Sequence, residues 1–327
     1  MVSLRRTVPC THPRCPHGLF SHVLRVFVLR VFVLPLVLAL PPVLVLPLAV
    51  GAQTAADHFR TGRAAMDSNK ADAAVKALEK AVKLEDSNAG YHLWLARALG
   101  AVAQRANVLR QPFLAKRVKA EFERTVRLDP SNLGGHEGLL QFYLQAPGVM
   151  GGSSAKARAE AEAIAKVNPM RGHFARATIA NREKDAVSVE REDRAAVAGY
   201  PDSLVAVNTL ANLLANTNRA DEAFATMDRF LTRRPGDVNG AYALGRIAAI
   251  TGKQLDRGEQ ALRTVLAAPG VGTDSTLPSP ANAHYRLGDI LRKRGERERA
   301  TGEYEMALKL NPRHEAAKRA LASLKER

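Results

Sequence analysis

The glycine-rich stretch QAPGVMGGSSAKARAEA, residues 145–161, could do chemistry, because it has the composition of a phosphate-binding loop. The backbone N–H groups of a glycine cluster in front of a helix can bind an anion. A Walker loop also needs a buried strand before it and a lysine followed by Ser or Thr. Here Ala157 follows Lys156. We therefore predict a lengthened turn between two helices, with Ser153 or Ser154 as the N-cap of the second helix.

Histidines recur at one point of a repeating pattern, and metal binding is the chemistry they suggest: His58, His92, His136 and His284. Ligands of one metal ion lie about 2.0–2.3 Å from it, whereas equivalent positions of stacked helices lie about 8–10 Å apart. These histidines are therefore predicted to be half-buried packing residues, and no metal site is expected.

Two His-Glu pairs, His136-Glu137 and His314-Glu315, begin the zinc-protease pattern HExxH. Leu140 and Lys318 stand where the second histidine would be needed. GxSxG is absent, and no Ser/His/Asp grouping can be assembled. The sequence thus predicts a protein that is not an enzyme.

The composition favours helices, because aromatic residues make up only 5 % of the 327 residues. The net charge is +16, and the first 52 residues carry five arginines and no acidic residue, which leaves 43 basic against 32 acidic residues beyond them. This interspersed excess indicates acidic partners or anionic surfaces in general. The lack of an aromatic and basic strip argues against nucleic acid.

Residues 1–52 have the features of a signal peptide, since a basic segment precedes the uncharged run from Val31 to Val50. Small residues after that run predict cleavage before Gln53. Cys10 and Cys15, the only cysteines, precede the run, so no disulfide or thiol chemistry is expected beyond it. An uncleaved membrane anchor is the alternative, because 20 uncharged residues can span a bilayer. We expect an exported, periplasmic protein, or an inner-membrane-anchored one that contacts the membrane only through this segment.

From Ala55 onward the chain repeats a pattern of small and apolar residues that is clearest in ANAHYRLGDILRKRGERERATGEYEMALKLNP, residues 281–312. This segment resembles the tetratricopeptide repeat, a unit of two helices with 34 positions. Leu287, Gly288 and Leu291 stand at positions 7, 8 and 11, and the later signature positions match as well: Ala300, Tyr304, Ala307 and Pro312.

The resemblance extends over seven repeats, predicted at 55–88, 89–132, 133–171, 172–203, 204–237, 238–280 and 281–314 of a 53–314 array, with a capping helix at 315–327. It implies an all-α, right-handed superhelix without a cofactor. Repeats two and three carry insertions at 101–114 and 145–154, and the repeat at 172–203 matches poorly.

In this family the concave groove is lined by the first helix of each repeat. The corresponding side chains here are Arg63, Arg97, Gln141, Arg176, Asn208, Asn212, Asn216, Tyr242, Arg246, Tyr285, Asp289 and Arg292. Asparagine can pair with a peptide backbone and arginine with a carboxylate. The set partly resembles the family's carboxylate clamp, although the clamp's lysine and asparagine are missing. Either a peptide groove or a solvated polar face without a fixed ligand fits these residues.

The resemblance implies protein–protein interaction as a scaffold, assembly or chaperone module, which the predicted leader would place in the cell envelope. The expected partner is a protein or peptide with acidic or C-terminal segments. Two alternatives remain open: a signal-anchored membrane assembly factor, and a small-ligand carrier that uses the irregular region 101–200.

Overall fold

The computed structural model describes residues 53–325, so the predicted leader lies outside the described residues. Within 53–325 there are fifteen α-helices, one short 3₁₀ helix (Gly148–Met150) and no strand, which confirms the all-α prediction. The α-helices are α1 Ala55–Asp67, α2 Ala71–Leu84, α3 Ala89–Ala103, α4 Gln111–Leu128, α5 Leu133–Gln145, α6 Ser154–Val167, α7 Pro169–Arg182, α8 Ala186–Gly199, α9 Leu204–Asn216, α10 Ala220–Arg233, α11 Val238–Thr251, α12 Leu255–Ala267, α13 Pro280–Lys293, α14 Arg297–Leu310 and α15 Glu315–Lys325.

The helices form seven consecutive pairs followed by α15. Helices that follow one another in the chain pack against each other throughout. The first helices of successive pairs also pack on one another, from α1 through α7 and from α9 through α15. We call the outer surface of this layer the first-helix face. Among residues 53–325, no helix combines the length and the apolar character that crossing a bilayer requires.

The first helix of most pairs begins at a polar side chain that binds the free N–H groups of the first turn. Asn88, Asn132, Asn168, Ser203 and Asp237 cap α3, α5, α7, α9 and α11 in this way. Thr54 and Asp57 form a capping box at α1. Such caps end the preceding connection and fix where each repeat begins.

The two helices of a pair approach closely where a glycine of the first helix faces a large side chain of the second. A Cβ built on Gly62, Gly245 or Gly288 would lie 2.4–2.5 Å from a carbon of the facing side chain. That side chain is the eighth residue of the second helix in each case: Leu78, Leu262 and Tyr304. All three are fully buried, so no larger residue fits opposite them.

Replacing Gly288 by alanine should therefore lower the free energy of unfolding by about 1–3 kcal/mol, because the new methyl group overlaps the Tyr304 ring. Gly302→Ala is the matched control. Gly302 lies inside α14, and a Cβ added to it would meet no other atom within 4 Å. Alanine there should raise stability by up to about 1 kcal/mol through its helix propensity. Urea unfolding of residues 53–327 measures the free energy of unfolding of both variants. If the two substitutions change it in the same direction, the packing described here is wrong.

The connection between α6 and α7 is a single residue, because Asn168 ends α6 and also caps α7. Pro169 is then the first residue of α7, a position where its missing N–H has no cost. The repeat pattern in the sequence predicts that the third repeat ends at residue 171 and the fourth begins at residue 172. With α7 beginning at Pro169, the fourth helix pair starts three residues earlier than predicted.

The apolar core is interrupted at α8. One cluster of buried residues extends from Ala74 to Ile179 and another from Val207 to Ile290, and within the described array no buried residue of α8 belongs to either. The buried residues of α8 are Asp193 and Ala196. Asp193 is the eighth residue of its helix, the place that Leu78, Leu262 and Tyr304 fill elsewhere. A carboxyl group thus replaces the usual apolar side chain at this point of the core.

Burial, with a smaller contribution from the charge of Glu192, raises the pKa of Asp193 from 3.8 to about 6. The native state therefore holds a proton that the unfolded chain releases at lower pH. The free energy of unfolding should fall as the pH rises through about 4 to 6, by up to about 3 kcal/mol.

Asp193→Asn should remove this loss, so that the variant is more stable than the parent chain at pH 8 and similar to it at pH 4. Glu305→Gln serves as the control, because Glu305 is an exposed acid of α14. Urea midpoints at both pH values measure the effect. A Glu305→Gln profile that changes as much as that of Asp193→Asn would assign the pH dependence to surface charge instead.

Candidate functional site

The glycine-rich stretch is a turn whose N–H groups bind its own carbonyl oxygens. Gly152 N donates to Pro147 O at 3.1 Å, and Ser153 N donates to Tyr143 O at 3.0 Å. Met150 N and Gly151 N bind carbonyl groups of the same turn. Ser153 then caps α6 by accepting from Lys156 N. These donors are satisfied within the chain and form no phosphate cradle.

The histidines tie the two helices of a pair together through glutamates. His92 Nδ1 lies 2.6 Å from Glu121 Oε2, and His136 Nδ1 lies 2.6 Å from Glu160 Oε2. Equivalent pairs join His284 to Glu303 at 2.6 Å and His173 to Glu192 at 2.9 Å. His58, predicted with the others, faces no such glutamate, because α2 has Ala77 at that position.

Each histidine–glutamate pair lies within its own repeat, and no group of three or more potential metal ligands occurs among residues 53–325. His173 was not among the histidines grouped from the sequence. It joins them because the one-residue connection at Asn168 moves the register of α7.

A hollow of about 510 Å³ lies on the first-helix face between α9, α11, α13 and the start of α15. We call it the arginine hollow. Among the described residues, no carboxylate lines it. Its lining combines amides, aromatic rings, two arginines and three small or apolar side chains: Asn208, Asn212, Asn239, Asn282, Tyr242, Tyr285, His314, Arg246, Arg286, Leu204, Ala243 and Ala316.

Arg246 reaches from α11 to α9 across the hollow. Its Nη2 donates to Asn208 Oδ1 at 3.0 Å and also to Asn212 Oδ1. A guanidinium group has donors only, so the asparagine oxygens must face it. The NH₂ group of each asparagine is thereby directed away from Arg246 and can donate to a carbonyl or carboxylate oxygen.

Arg286 enters the same hollow from α13. Its guanidinium carbon lies 4.8 Å from the centre of the Tyr285 ring, and its Nη1 donates to Asp289 Oδ2 at 3.2 Å. Its Nε is buried and has no hydrogen-bond partner among the described residues. A buried donor without an acceptor is unfavourable.

Burial, and then the charge of Arg286, lower the pKa of Arg246. Arginine remains protonated in proteins, so the lowered pKa expresses the free-energy cost of holding two guanidinium groups together away from water. Arg246 forms no salt bridge to any carboxylate of residues 53–325, and its side chain donates hydrogen bonds to amide oxygens alone. An anion in the hollow would offset both the desolvation and the mutual repulsion.

Five of the predicted groove residues come together in the arginine hollow: Asn208, Asn212, Tyr242, Arg246 and Tyr285. Three others lie at the N-terminal end of the array. Arg63 and Arg97 stack against Trp94, with guanidinium carbons 4.7 and 5.2 Å from its ring centre. Gln141 lies with Arg97 beside a second hollow near the insertions.

The remaining four predicted residues do not line the arginine hollow. Arg176 binds Glu162 and Glu192 on second helices, because the register of α7 differs from the one predicted. Asp289 is buried and accepts from the Tyr304 hydroxyl at 2.9 Å. Arg292 lies beside a hollow near Leu324 of α15, and Asn216 is exposed at the end of α9.

Sequence reasoning missed Arg286, Asn239, Asn282 and His314, which also line the hollow. The two asparagines occupy the second position of their repeats, which belongs to the groove positions of the family. Arg286 is at position six, where the clamp pattern requires asparagine. His314 is the last residue of the repeat at 281–314, beyond its second helix, and its ring lies 4.9 Å from that of Tyr285.

Two sequence models of one family, described as "Tetratricopeptide repeat", match the chain at residues 59–101 and 281–314. No curated protein matches the sequence of this chain. The matched segments correspond to α1–α3 and to α13–α14, at the two ends of the array.

Solved structures of repeat proteins share the fold at low sequence identity. A tetratricopeptide repeat protein from Parabacteroides merdae is 15 % identical, with a TM-score of 0.50 over 83 % of this chain and 98 % of that one. Yeast Tom70 is 14 % identical, with a TM-score of 0.54, and the match covers 88 % of this chain and 59 % of the Tom70 chain. These similarities establish the architecture of the array alone.

Proposed function

Because the chain is a tetratricopeptide-repeat protein, we propose that it is a non-catalytic interaction scaffold that binds an extended segment of a partner protein on its first-helix face. The arginine hollow receives a carboxylate of that segment, either its C-terminus or an acidic side chain. The site has no grouping of nucleophile and base, and its polar groups are those that recognise rather than react.

The observation that carries this proposal is the state of Arg246. It is half-buried, lies beside Arg286 and is bound only by Asn208 and Asn212. A cation placed among amides without a carboxylate is arranged for an anion that arrives from outside.

The surroundings of the two arginines suit a peptide rather than a bare anion. The asparagine NH₂ groups can donate to the carbonyl oxygens of an extended chain. Tyr242 and Tyr285 supply half-buried aromatic surface for a side chain next to the carboxylate. A hollow of about 510 Å³ falls within the usual range of ligand sites, about 300–1,000 Å³, and accommodates a few residues.

Binding is tested with residues 53–327 on an array of random peptides that have free C-termini, followed by anisotropy titration of the best binders. We expect Arg246→Gln/Arg286→Gln to weaken binding by about tenfold or more, because each arginine contributes a charge-assisted hydrogen bond. Arg297→Gln/Arg313→Gln removes the same charge from exposed arginines outside the hollow and should have little effect.

Amidating the C-terminus distinguishes the two sources of the carboxylate. If amidation abolishes binding, the hollow recognises a chain end. If only the neutralisation of an internal Asp or Glu abolishes binding, it recognises an acidic side chain. If Arg246→Gln/Arg286→Gln binds peptides as tightly as Arg297→Gln/Arg313→Gln, the arginine hollow is not the binding site.

We further propose that the scaffold acts outside the cytoplasm, in the cell envelope. The basic segment, the uncharged run from Val31 to Val50 and the small residues that follow support export. The absence of cysteine beyond residue 15 agrees with an oxidising compartment, where a free thiol is a liability.

Expression of the full chain in a bacterial host should yield a mature protein whose N-terminus is Gln53. N-terminal sequencing of the purified protein measures this. The reference is the variant Leu40→Arg, in which a charge interrupts the apolar run, so that the precursor should remain uncleaved. A membrane-bound chain that keeps the run from Val31 to Val50 would support the anchored alternative.

A further inference from the structure

The two insertions of the array lie in the same kind of place, between the first and the second helix of a pair. The turn between α3 and α4 comprises residues 104–110 and the turn between α5 and α6 comprises residues 146–153. The corresponding turns of the other pairs have three residues each. Residues on both insertions line one hollow, so the insertions are neighbours in space.

These insertions carry exposed apolar side chains. Five large apolar side chains of the described residues are at least three-quarters exposed, and four of them lie on or beside the insertions: Val108 at 78 %, Leu109 at 82 %, Phe113 at 75 % and Val149 at 98 %. The fifth, Val187 at 78 %, is alone in α8. We call residues 104–117 and 146–152 the insertion surface. Such clustering of exposed apolar groups marks a surface that is covered in use.

The hollow behind the insertion surface is itself mainly apolar and measures about 850 Å³. Val108 and Pro112 line it on one side, and Pro147 and Met150 line it on the other. Phe142 forms part of its wall. A covering partner must therefore be apolar where it meets the insertions.

The segment that carries the first insertion is basic. Residues 105–119 contain five cations and no acidic residue: Arg105, Arg110, Lys116, Arg117 and Lys119. Arg117 and Lys119 pair with Glu79 and Glu123. Arg110 and Lys116 are exposed and form no salt bridge within the described part of the chain. The exposed apolar side chains of the first insertion thus adjoin, along the chain, two cations that no described carboxylate pairs with.

We infer that the insertion surface docks on an anionic lipid bilayer, with Val108, Leu109, Phe113 and Val149 entering the interface and Arg110 and Lys116 lying among the headgroups. Side chains that project from two turns and from the first residues of α4 present no flat face for a matched protein surface, whereas lipid chains rearrange around them. Apolar insertion and attraction of basic residues to anionic lipids add in the binding of peripheral proteins. The contact is separate from the arginine hollow and does not depend on the N-terminal apolar run.

Vesicle flotation tests this inference with residues 53–327, which contain every described helix and lack the apolar run 31–50. The vesicles are phosphatidylcholine alone or phosphatidylcholine mixed with phosphatidylglycerol. We expect flotation with the mixed vesicles only, weakened by added salt. Val108→Ser/Leu109→Ser/Phe113→Ser should reduce binding at least tenfold, and Arg110→Gln/Lys116→Gln should remove the preference for the anionic lipid.

The matched control is Leu84→Ser/Val187→Ser/Val205→Ser, which replaces three apolar side chains that are 59, 78 and 61 % exposed elsewhere. It should float like the parent chain. Thermal melting should give similar midpoints for both triple variants, because all six side chains are largely solvated. If Val108→Ser/Leu109→Ser/Phe113→Ser still floats with the mixed vesicles as the parent chain does, the inference is wrong. Absence of flotation by the parent chain also overturns it and points to a protein partner for the same surface.

Discussion

The contact between a small residue of one helix and a large side chain of the next is the constraint on which the array depends. Gly62, Gly245 and Gly288 each lie against a fully buried side chain at the same point of the second helix. A helix pair of this size cannot bury its apolar faces alone, so each pair also needs its neighbours. The first helices are thereby held side by side, and their outer positions form the surface on which the arginine hollow lies.

Much of the fold could be predicted from the sequence, because the positions that pack these helices are few and regularly spaced. The helices α13 and α14 follow the pattern at every signature position. The exception arises where Asn168 both ends one helix and caps the next, since a connection of one residue leaves no turn motif to read. The resulting change of register moved Arg176 to the second-helix side and brought His173 to the position of the other paired histidines.

The candidate site was less predictable than the fold, because it depends on which side chain reaches across to the next repeat. Asn212 and Arg246 both stand at the ninth position of their repeats, and their contact follows from the stacking. Asp289 stands at the ninth position too, but the Tyr304 hydroxyl draws it into the core. From there it holds one nitrogen of Arg286, so it affects the hollow without lining it. Repeat positions alone cannot predict such a difference.

The array carries two unlike surfaces because its turns and its first helices are under different constraints. A turn between the helices of one pair can lengthen at little free-energy cost, since loop entropy grows slowly with length. The helices α3 and α4 still pack as a pair on either side of residues 104–110. Apolar side chains can therefore accumulate on these turns without disturbing the core. The first-helix face has less freedom, because the helices that carry it also pack on their neighbours. Its recognition groups are accordingly single polar residues, of which Arg246 is bound from the neighbouring repeat.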